Sequence, residues 1–261
     1  MKNASMDYSL KKSLGQHFLH DEIVCKKIVD CLSPEATYVL EVGPGAGAIT
    51  KYLIQLPFAE FMCIEIDKEK MDYLQKQYPT LHHRILHDDI LTAELPFEND
   101  FYVIGNFPYN ISTQIVFKML EWKEHVVEMV GMFQKEVAQR ICSKHGSKEY
   151  GILSVLTQCY YDVTYCFDVD ASCFTPPPKV TSGVIKCTRK ANPIIIEQEE
   201  AFKKFVKTAF GQRRKTLRNA LKSYYPTAIL ADPIFMSRAE QLSVSELVDL
   251  FHVVTVKKEN R

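Results

Sequence analysis

No stretch of this chain carries the roughly 20 consecutive apolar residues needed to cross a bilayer. The segment from Met1 to Leu19 is polar and lacks the apolar core of a secretion signal. Both absences predict a cytoplasmic protein without a membrane partner. None of the eight cysteines belongs to a Cys-x-x-Cys pair, which argues against zinc ribbons and thioredoxin-like redox motifs. Scattered at apolar positions, they suit small buried thiols in a reducing compartment. Repeats and low-complexity tracts are absent as well. So is net charge, since 32 Lys and Arg meet 32 Asp and Glu. The balance is not uniform, however. Residues 191–261 hold 12 basic against 8 acidic side chains, and the rest of the chain 20 against 24. Between 201 and 222 there are eight basic residues and no acidic one, a patch that the neutral total conceals.

What is present is a chain of 261 residues that is 46% hydrophobic, enough for one large domain, or for one domain and a smaller companion. Its first two-thirds alternates strand and helix patterns. Apolar runs at 38–42, 61–66, 101–105 and 126–133 read as strands, and 83–87 as a weaker one. Helical patterns at 48–56, 68–77, 111–121, 135–142 and 151–159 follow them, and 160–167 and 183–188 are positioned to close the sheet. Such alternation predicts an α/β fold, a mostly parallel, doubly wound, Rossmann-like sheet with ligand loops at the carboxyl ends of its strands. After Lys190-Ala-Asn-Pro193 the strand patterns fade, and helical ones at 199–210, 215–223 and 244–253 take over. The expected division is therefore a catalytic domain over 1–190 and a small helical domain over 191–261.

The first strand runs into Glu41-Val-Gly43-Pro-Gly45-Ala-Gly47. Glycines let a backbone turn sharply and approach a ligand with no Cβ in the way. Their spacing is not the G-x-G-x-x-G of dinucleotide sites. Glu41 would repel a pyrophosphate but can accept hydrogen bonds from, or balance, a cation. The pair favours a sulfonium cofactor, S-adenosylmethionine, over NAD. Glu65, at the end of the second strand, is placed to accept ribose hydroxyls, whereas Asp67 is as well suited to cap the next helix. In His87-Asp88-Asp89-Ile90, Asp89 is the candidate acceptor for the adenine amine of the cofactor, and Asp88 reads as a solvated loop acid.

Asn106-Phe-Pro-Tyr109 follows the fourth strand. Adenine's exocyclic amine is a weak nucleophile because its lone pair conjugates with the ring. Acceptors aimed at both amine hydrogens stabilise the charge that develops on nitrogen. The Asn106 side-chain oxygen and the Phe107 carbonyl can supply that pair. Pro108 stiffens the turn and biases residue 107 toward an extended conformation, and Tyr109 offers a stacking face. On this reading Phe107 contributes only its backbone. Alone, the tetrapeptide is equally an ordinary Asn-x-Pro turn; its place after a glycine-loop fold favours function. Phe174-Thr-Pro-Pro-Pro-Lys179 is a stiff, extended loop, which either presents Phe174 as the second wall of a base slot or buries it as a connector.

With these segments in order, the chain resembles the ribosomal RNA adenine N6,N6-dimethyltransferases. The resemblance rests on Lys12–Leu19, Leu40–Gly47, Glu65-Ile-Asp67, Asp89, Gly105–Ser112, Phe133–Arg140, Phe174–Val180 and Phe210–Leu217. It implies S-adenosylmethionine as donor, and two adjacent adenines in a hairpin near the 3′ end of small-subunit ribosomal RNA as acceptors, within an immature subunit and by a monomer. By motif position His17, Leu19, Gly43, Glu65, Asp89 and Asn106 match the family's cofactor contacts. The chain departs from the commoner family pattern twice, with His17 in place of Asn and Phe107 in place of Leu. Lys203, Lys207, Arg213, Arg214, Lys215 and Arg218, with Lys11 and Lys12 from the N-terminal arm, are the candidate phosphate contacts. Phe202, Phe205 and Phe210 fall between these cations at helical spacing and are expected to fill the small domain's core. His82, His83 and His87 lack a clear third ligand and predict no metal site. Three rival readings are a large-subunit adenine methyltransferase conferring antibiotic resistance, a ribosome-assembly factor that binds RNA, and an NAD-dependent oxidoreductase.

Overall fold

Five strands pair side by side to make the body of one sheet. In a computed structural model, which describes residues 17–259, the strands are β1 (Phe18–Leu19), β2 (Tyr38–Val42), β3 (Glu60–Glu65), β4 (Ile85–His87), β5 (Phe101–Asn106), β6 (Val126–Gln134), β7 (Tyr161–Val169), β8 (Phe174–Thr175) and β9 (Ser182–Arg189). The helices are α1 (Glu22–Asp30), α2 (Thr50–Leu53), α3 (Lys68–Gln77), α4 (Ser112–Glu121), α5 (Lys135–Cys142), α6 (Ile152–Tyr160), α7 (Glu199–Phe210), α8 (Leu217–Leu221) and α9 (Val244–Glu259). Seven strands form one sheet in the order β4-β3-β2-β5-β6-β9-β7. The pairs β3–β4, β2–β3, β2–β5 and β5–β6 are parallel, and β6–β9 is antiparallel. From β2 the chain runs outward to β3 and β4, then returns to start β5 on the other side of β2. The crevice at that reversal is where doubly wound sheets bind ligands.

Near-continuous apolar runs are what a sheet covered on both faces demands, and Val39, Leu40, Cys63, Val103, Ile104 and Val130 are all buried. The helix expected over 48–56 is only one regular turn, Thr50–Leu53. Two elements without an apolar run to announce them are α1, capped by the Asp21 carboxylate on the Ile23 and Val24 amides, and the two-residue ladder of β1 with β8.

The chain divides into two compact units. One comprises the residues up to Ala138 with Val163–Arg189, the other Gln139–Asp162 with Lys190 onward. The division thus departs from the simple one at 190, because the second half of α5 and all of α6 belong with the C-terminal helices. The second unit packs around Phe202, Phe205, Phe210 and Phe251; Phe251 meets Phe202 at 5.3 Å and Phe205 at 5.6 Å between ring centroids. Phe202, Phe205 and Phe210 are core, as their spacing indicated.

Candidate active site

Because β2, β3, β4 and β5 run parallel, their carboxyl ends open on the same edge of the sheet. The glycine loop leaves β2, Glu65 ends β3, Asp88 and Asp89 follow β4, and Asn106 ends β5. All of these line one cleft, together with His17, Phe18, Leu19, Pro108 and Tyr109. Gly43 and Gly45 have φ of +67° and +58°, which side chains rarely adopt. A Cβ on either would approach no protein atom closer than 3.8 Å and would fill space that faces the cleft. Gly47 differs: its Cβ would lie 3.0 Å from Leu74 and Tyr78, so this glycine serves packing against α3.

The acids of the cleft are held in distinct ways. Glu65 accepts the Gly45 amide on Oε2 (3.1 Å) and the Asp67 amide on Oε1 (2.9 Å), which ties the glycine loop to the end of β3. Burial raises its pKa. Glu41 is 1% exposed, and burial pushes its carboxyl up to about 8. Its Oε2 accepts the Cys63 thiol at 3.7 Å, while Oε1 is buried without a partner. Asp89 turns Oδ1 to the Leu91 amide (2.9 Å). Asp67 caps α3 through the Glu69 amide, and Asp88 is exposed. A residue that the sequence did not single out is Lys70, on the first turn of α3. It is 4% exposed, lines the cleft, and its Nζ stands 3.9 Å from where a Gly45 Cβ would project. Nothing local in the sequence distinguishes it from the solvated lysines on either side.

Asn106, Pro108 and Tyr109 stand at the mouth of β5 as expected, but Phe107 is more than a backbone carrier. Its ring is 1% exposed and is seated over two glycines, Gly105 on β5 and Gly131 on β6. It meets Phe133 edge-on at 5.2 Å. The ring therefore clamps the tetrapeptide to the sheet. Tyr109 is held through its hydroxyl, 2.6 Å from Oγ of the buried Ser182 at the start of β9, a partner 73 residues away that no local pattern signals. Phe174 requires a correction. In the β1–β8 ladder it pairs with Leu19, and both side chains enter the core. Phe174 is 2% exposed and is not part of the cleft lining. That burial is the placement of the connector reading.

A sequence model of the ribosomal RNA adenine dimethylases matches residues 8–255. The chain belongs to this family. Ribosomal RNA small subunit methyltransferase A of Cytophaga hutchinsonii is 49% identical over 252 residues, 95% of this chain and 98% of that one. Its counterpart in Flavobacterium johnsoniae is 52% identical over 245 residues, 92% and 94% of the two chains. Among solved structures, a dimethyladenosine transferase of Plasmodium falciparum shares the fold with a TM-score of 0.78 at 22% identity, covering 93% of this chain and 98% of that one. The 23S rRNA methyltransferase ErmE matches with a TM-score of 0.66 at 26% identity, covering 91% and 99%.

As a member of the ribosomal RNA adenine dimethylases, the protein is an S-adenosylmethionine-dependent methyltransferase with a Rossmann-like sheet. The cleft fits that cofactor: two left-handed glycines leave room against the loop, an orphaned buried carboxylate oxygen awaits a donor, and Glu65 and Asp89 each keep acceptor capacity beyond their backbone bonds. No group of three or more His, Cys, Asp or Glu among the described residues could hold a metal ion.

The basic segment lies in the second unit. Lys207, Arg214, Lys215 and Arg218 are exposed. Lys203 pairs with Glu200 at 3.3 Å. Arg213 is spent differently from the expectation: its Nη2 donates to the carbonyls of Lys148 and, at 3.2 Å, of Tyr150. It pins the 148–150 turn, so it is a structural cation at least as much as a phosphate contact. Lys11 and Lys12 lie outside the described residues.

Proposed function

We propose that this enzyme places two methyl groups on N6 of each of two adjacent adenines in a hairpin near the 3′ end of small-subunit ribosomal RNA. Its substrate would be an immature subunit, and it would act as a monomer in the cytoplasm. The observation that carries the reading is the convergence of Asn106, Phe107, Pro108 and Tyr109 with Gly43, Gly45, Glu65 and Asp89 on one cleft. The target RNA comes from relatives about half identical over nearly the whole chain, whose names specify the small subunit. The likeness to ErmE, at 26% identity, does not favour the large-subunit rival. All eight cysteines are free thiols, in keeping with a reducing compartment.

When bound, the cofactor supplies a methyl group on a sulfonium, already a good leaving group. The remaining work is alignment and electrostatics. Asn106 Oδ1 and the Phe107 carbonyl accept the two amine hydrogens and stabilise the charge growing on nitrogen. Pro108 keeps that carbonyl pointing into the cleft, and Tyr109 stacks on the base. Glu65 holds the ribose, Asp89 the adenine amine of the cofactor, and Glu41 its cationic portion, while His17 and Leu19 close the cleft from the N-terminal side. Lys203, Lys207, Arg214, Lys215 and Arg218, with Lys11 and Lys12, contact phosphates, and the target base is taken out of its stack.

The test is to incubate the enzyme and labelled cofactor with undermethylated small and large subunits and map the modified nucleotides. Modification of two neighbouring adenines in the small subunit is expected; label confined to the large subunit refutes the reading. Asn106→Ala should lower kcat by about 100-fold or more, the scale of losing one preorganised hydrogen-bond partner to developing charge, with the thermal midpoint unchanged.

A further inference from the structure

Among the described residues that line the cleft, Lys70 is the one lysine or arginine, set among the acids Glu41, Glu65, Asp88 and Asp89. We propose that Lys70 is a positioning residue for the cofactor: its ammonium keeps Glu65 in the carboxylate form, so that this acid can accept both ribose hydroxyls. The assignment deepens the reading of Glu65 as the ribose acceptor and rests on it. Three observations carry it. Lys70 is 4% exposed, whereas its neighbours Lys68 and Glu69 on the same turn of α3 are exposed. A buried ammonium is costly unless an opposite charge answers it. Its Nζ stands 3.9 Å from where a Gly45 Cβ would project, and Glu65 Oε2 accepts the amide of that same Gly45 at 3.1 Å. Cation and carboxylate thus flank one residue of the glycine loop. Finally, burial raises the pKa of Glu65, while the Asp67 and Gly45 amides and the charge of Lys70 lower it.

The turn from β3 into α3 builds this arrangement within six residues, Glu65 to Lys70. Asp67 caps the helix on the Glu69 amide at 3.1 Å, and its carbonyl accepts the Lys70 amide at 3.0 Å. Glu65 and Lys70 then both line the cleft. An ionised carboxylate only accepts, whereas a protonated one turns an oxygen into a donor. Each Glu65 oxygen already accepts one backbone amide. A diol needs the remaining capacity of both, and a proton would remove part of it. The other acids here, Glu41 on β2, Asp67 on the same turn and Asp88 and Asp89 after β4, all favour the protonated form of Glu65, and Lys70 opposes them. Cys63 on β3 is kept a neutral thiol by burial, and His17 and Tyr109 complete the titratable groups of the lining.

The charge and the bulk of Lys70 are separable by pH. S-adenosylhomocysteine, which carries the same ribose, is titrated calorimetrically into the full chain between pH 5.5 and 8.5. Lys70→Met and Lys70→Gln both remove the charge, and Gln retains a donor; thermal midpoints show which variants are folded. Relative to the parent, their dissociation constants should rise by no more than about threefold at pH 8.5 and by a further factor of about five or more at pH 5.5, the scale on which one close charge moves a carboxyl. Lys70→Arg should stay within about threefold of the parent throughout. Three results overturn the proposal: unchanged affinity at every pH, weakening by the same factor at every pH (a packing role), or a pH-dependent loss that persists undiminished when Lys70→Met is combined with Glu65→Gln (a different titrating group). Glu65→Gln alone tests the underlying reading. If it binds as the parent does across the range, Glu65 does not hold the ribose and that reading fails; if it binds weakly while the Lys70 variants match the parent, only the Lys70 assignment fails.

Discussion

Glu41 shows how much one buried side chain can encode. Its folded pKa of about 8 stands well above the ordinary 4.5, raised by burial. Between those values the folded, cofactor-free protein keeps a proton that the unfolded chain has released. Stability is therefore full below about pH 4.5 and falls as pH climbs through 8. A cationic ligand beside Glu41 reverses the preference by favouring the carboxylate. Binding of S-adenosylmethionine at pH 7 should then release a substantial fraction of a proton. Calorimetry in two buffers of different ionisation enthalpy reads that number directly. In Glu41→Gln the release should vanish, and stability should lose its decline between pH 5 and 8, on the order of 2–4 kcal/mol. A buffer-independent binding enthalpy in the parent would show that Glu41 does not meet the cofactor's charge.

At the scale of elements, the end of β5 depends on its neighbour as much as on its own residues. A Cβ on Gly131 would come within 2.4 Å of the Phe107 ring and 2.6 Å of Phe133. Gly131→Ala should cost about 1–3 kcal/mol, the usual penalty of overpacking, and reduce turnover because Asn106 moves with the ring. Adding Phe107→Leu should recover part of both, as urea midpoints and kcat will show. Gly105→Ala should resist the same rescue, since its Cβ would also strike the Val42 carbonyl at 2.6 Å. This dependence explains what the sequence did and did not disclose. The parallel strands other than the short β4 were legible because each is a bounded apolar run, and the glycine loop, Glu65 and Asn106 because they end or follow those runs. The seat of Phe107 was not, since it requires the register of β5 against β6. The β1–β8 pair escaped because two residues carry no period. The patterns of α5 and α6 revealed helices but not which core they join.

For the whole molecule, zero net charge is a misleading guide to RNA affinity, because charge is segregated along the chain. Reversing Arg214, Lys215 and Arg218 to Glu should weaken RNA binding and lower the slope of log affinity against log salt by about 2–3, roughly 0.7–0.9 for each phosphate that is no longer neutralised. An unchanged slope would make the patch a solvated helix face. Arg213→Ala should behave differently. It should cost about 1 kcal/mol of stability, because two backbone carbonyls lose their donor, and change the salt slope little. No helix among the described residues is long and apolar enough to cross a membrane.

The pairing of β1 with β8 has a consequence for how the enzyme comes into being. His17 and Pro176 are 159 positions apart, yet they are hydrogen-bonded beside the cleft that His17 lines. A ribosome synthesises the chain from its N-terminus, so residue 17 emerges long before its partner. Most of the glycine loop's supporting strands can assemble while the nascent chain still lacks the segment against which its own beginning must dock. The cleft is completed only after about two-thirds of synthesis. A truncated product that stops before the proline-rich segment would hold the glycine loop, Glu65, Asp89 and Asn106 and still lack the strand that pairs with Phe18 and Leu19.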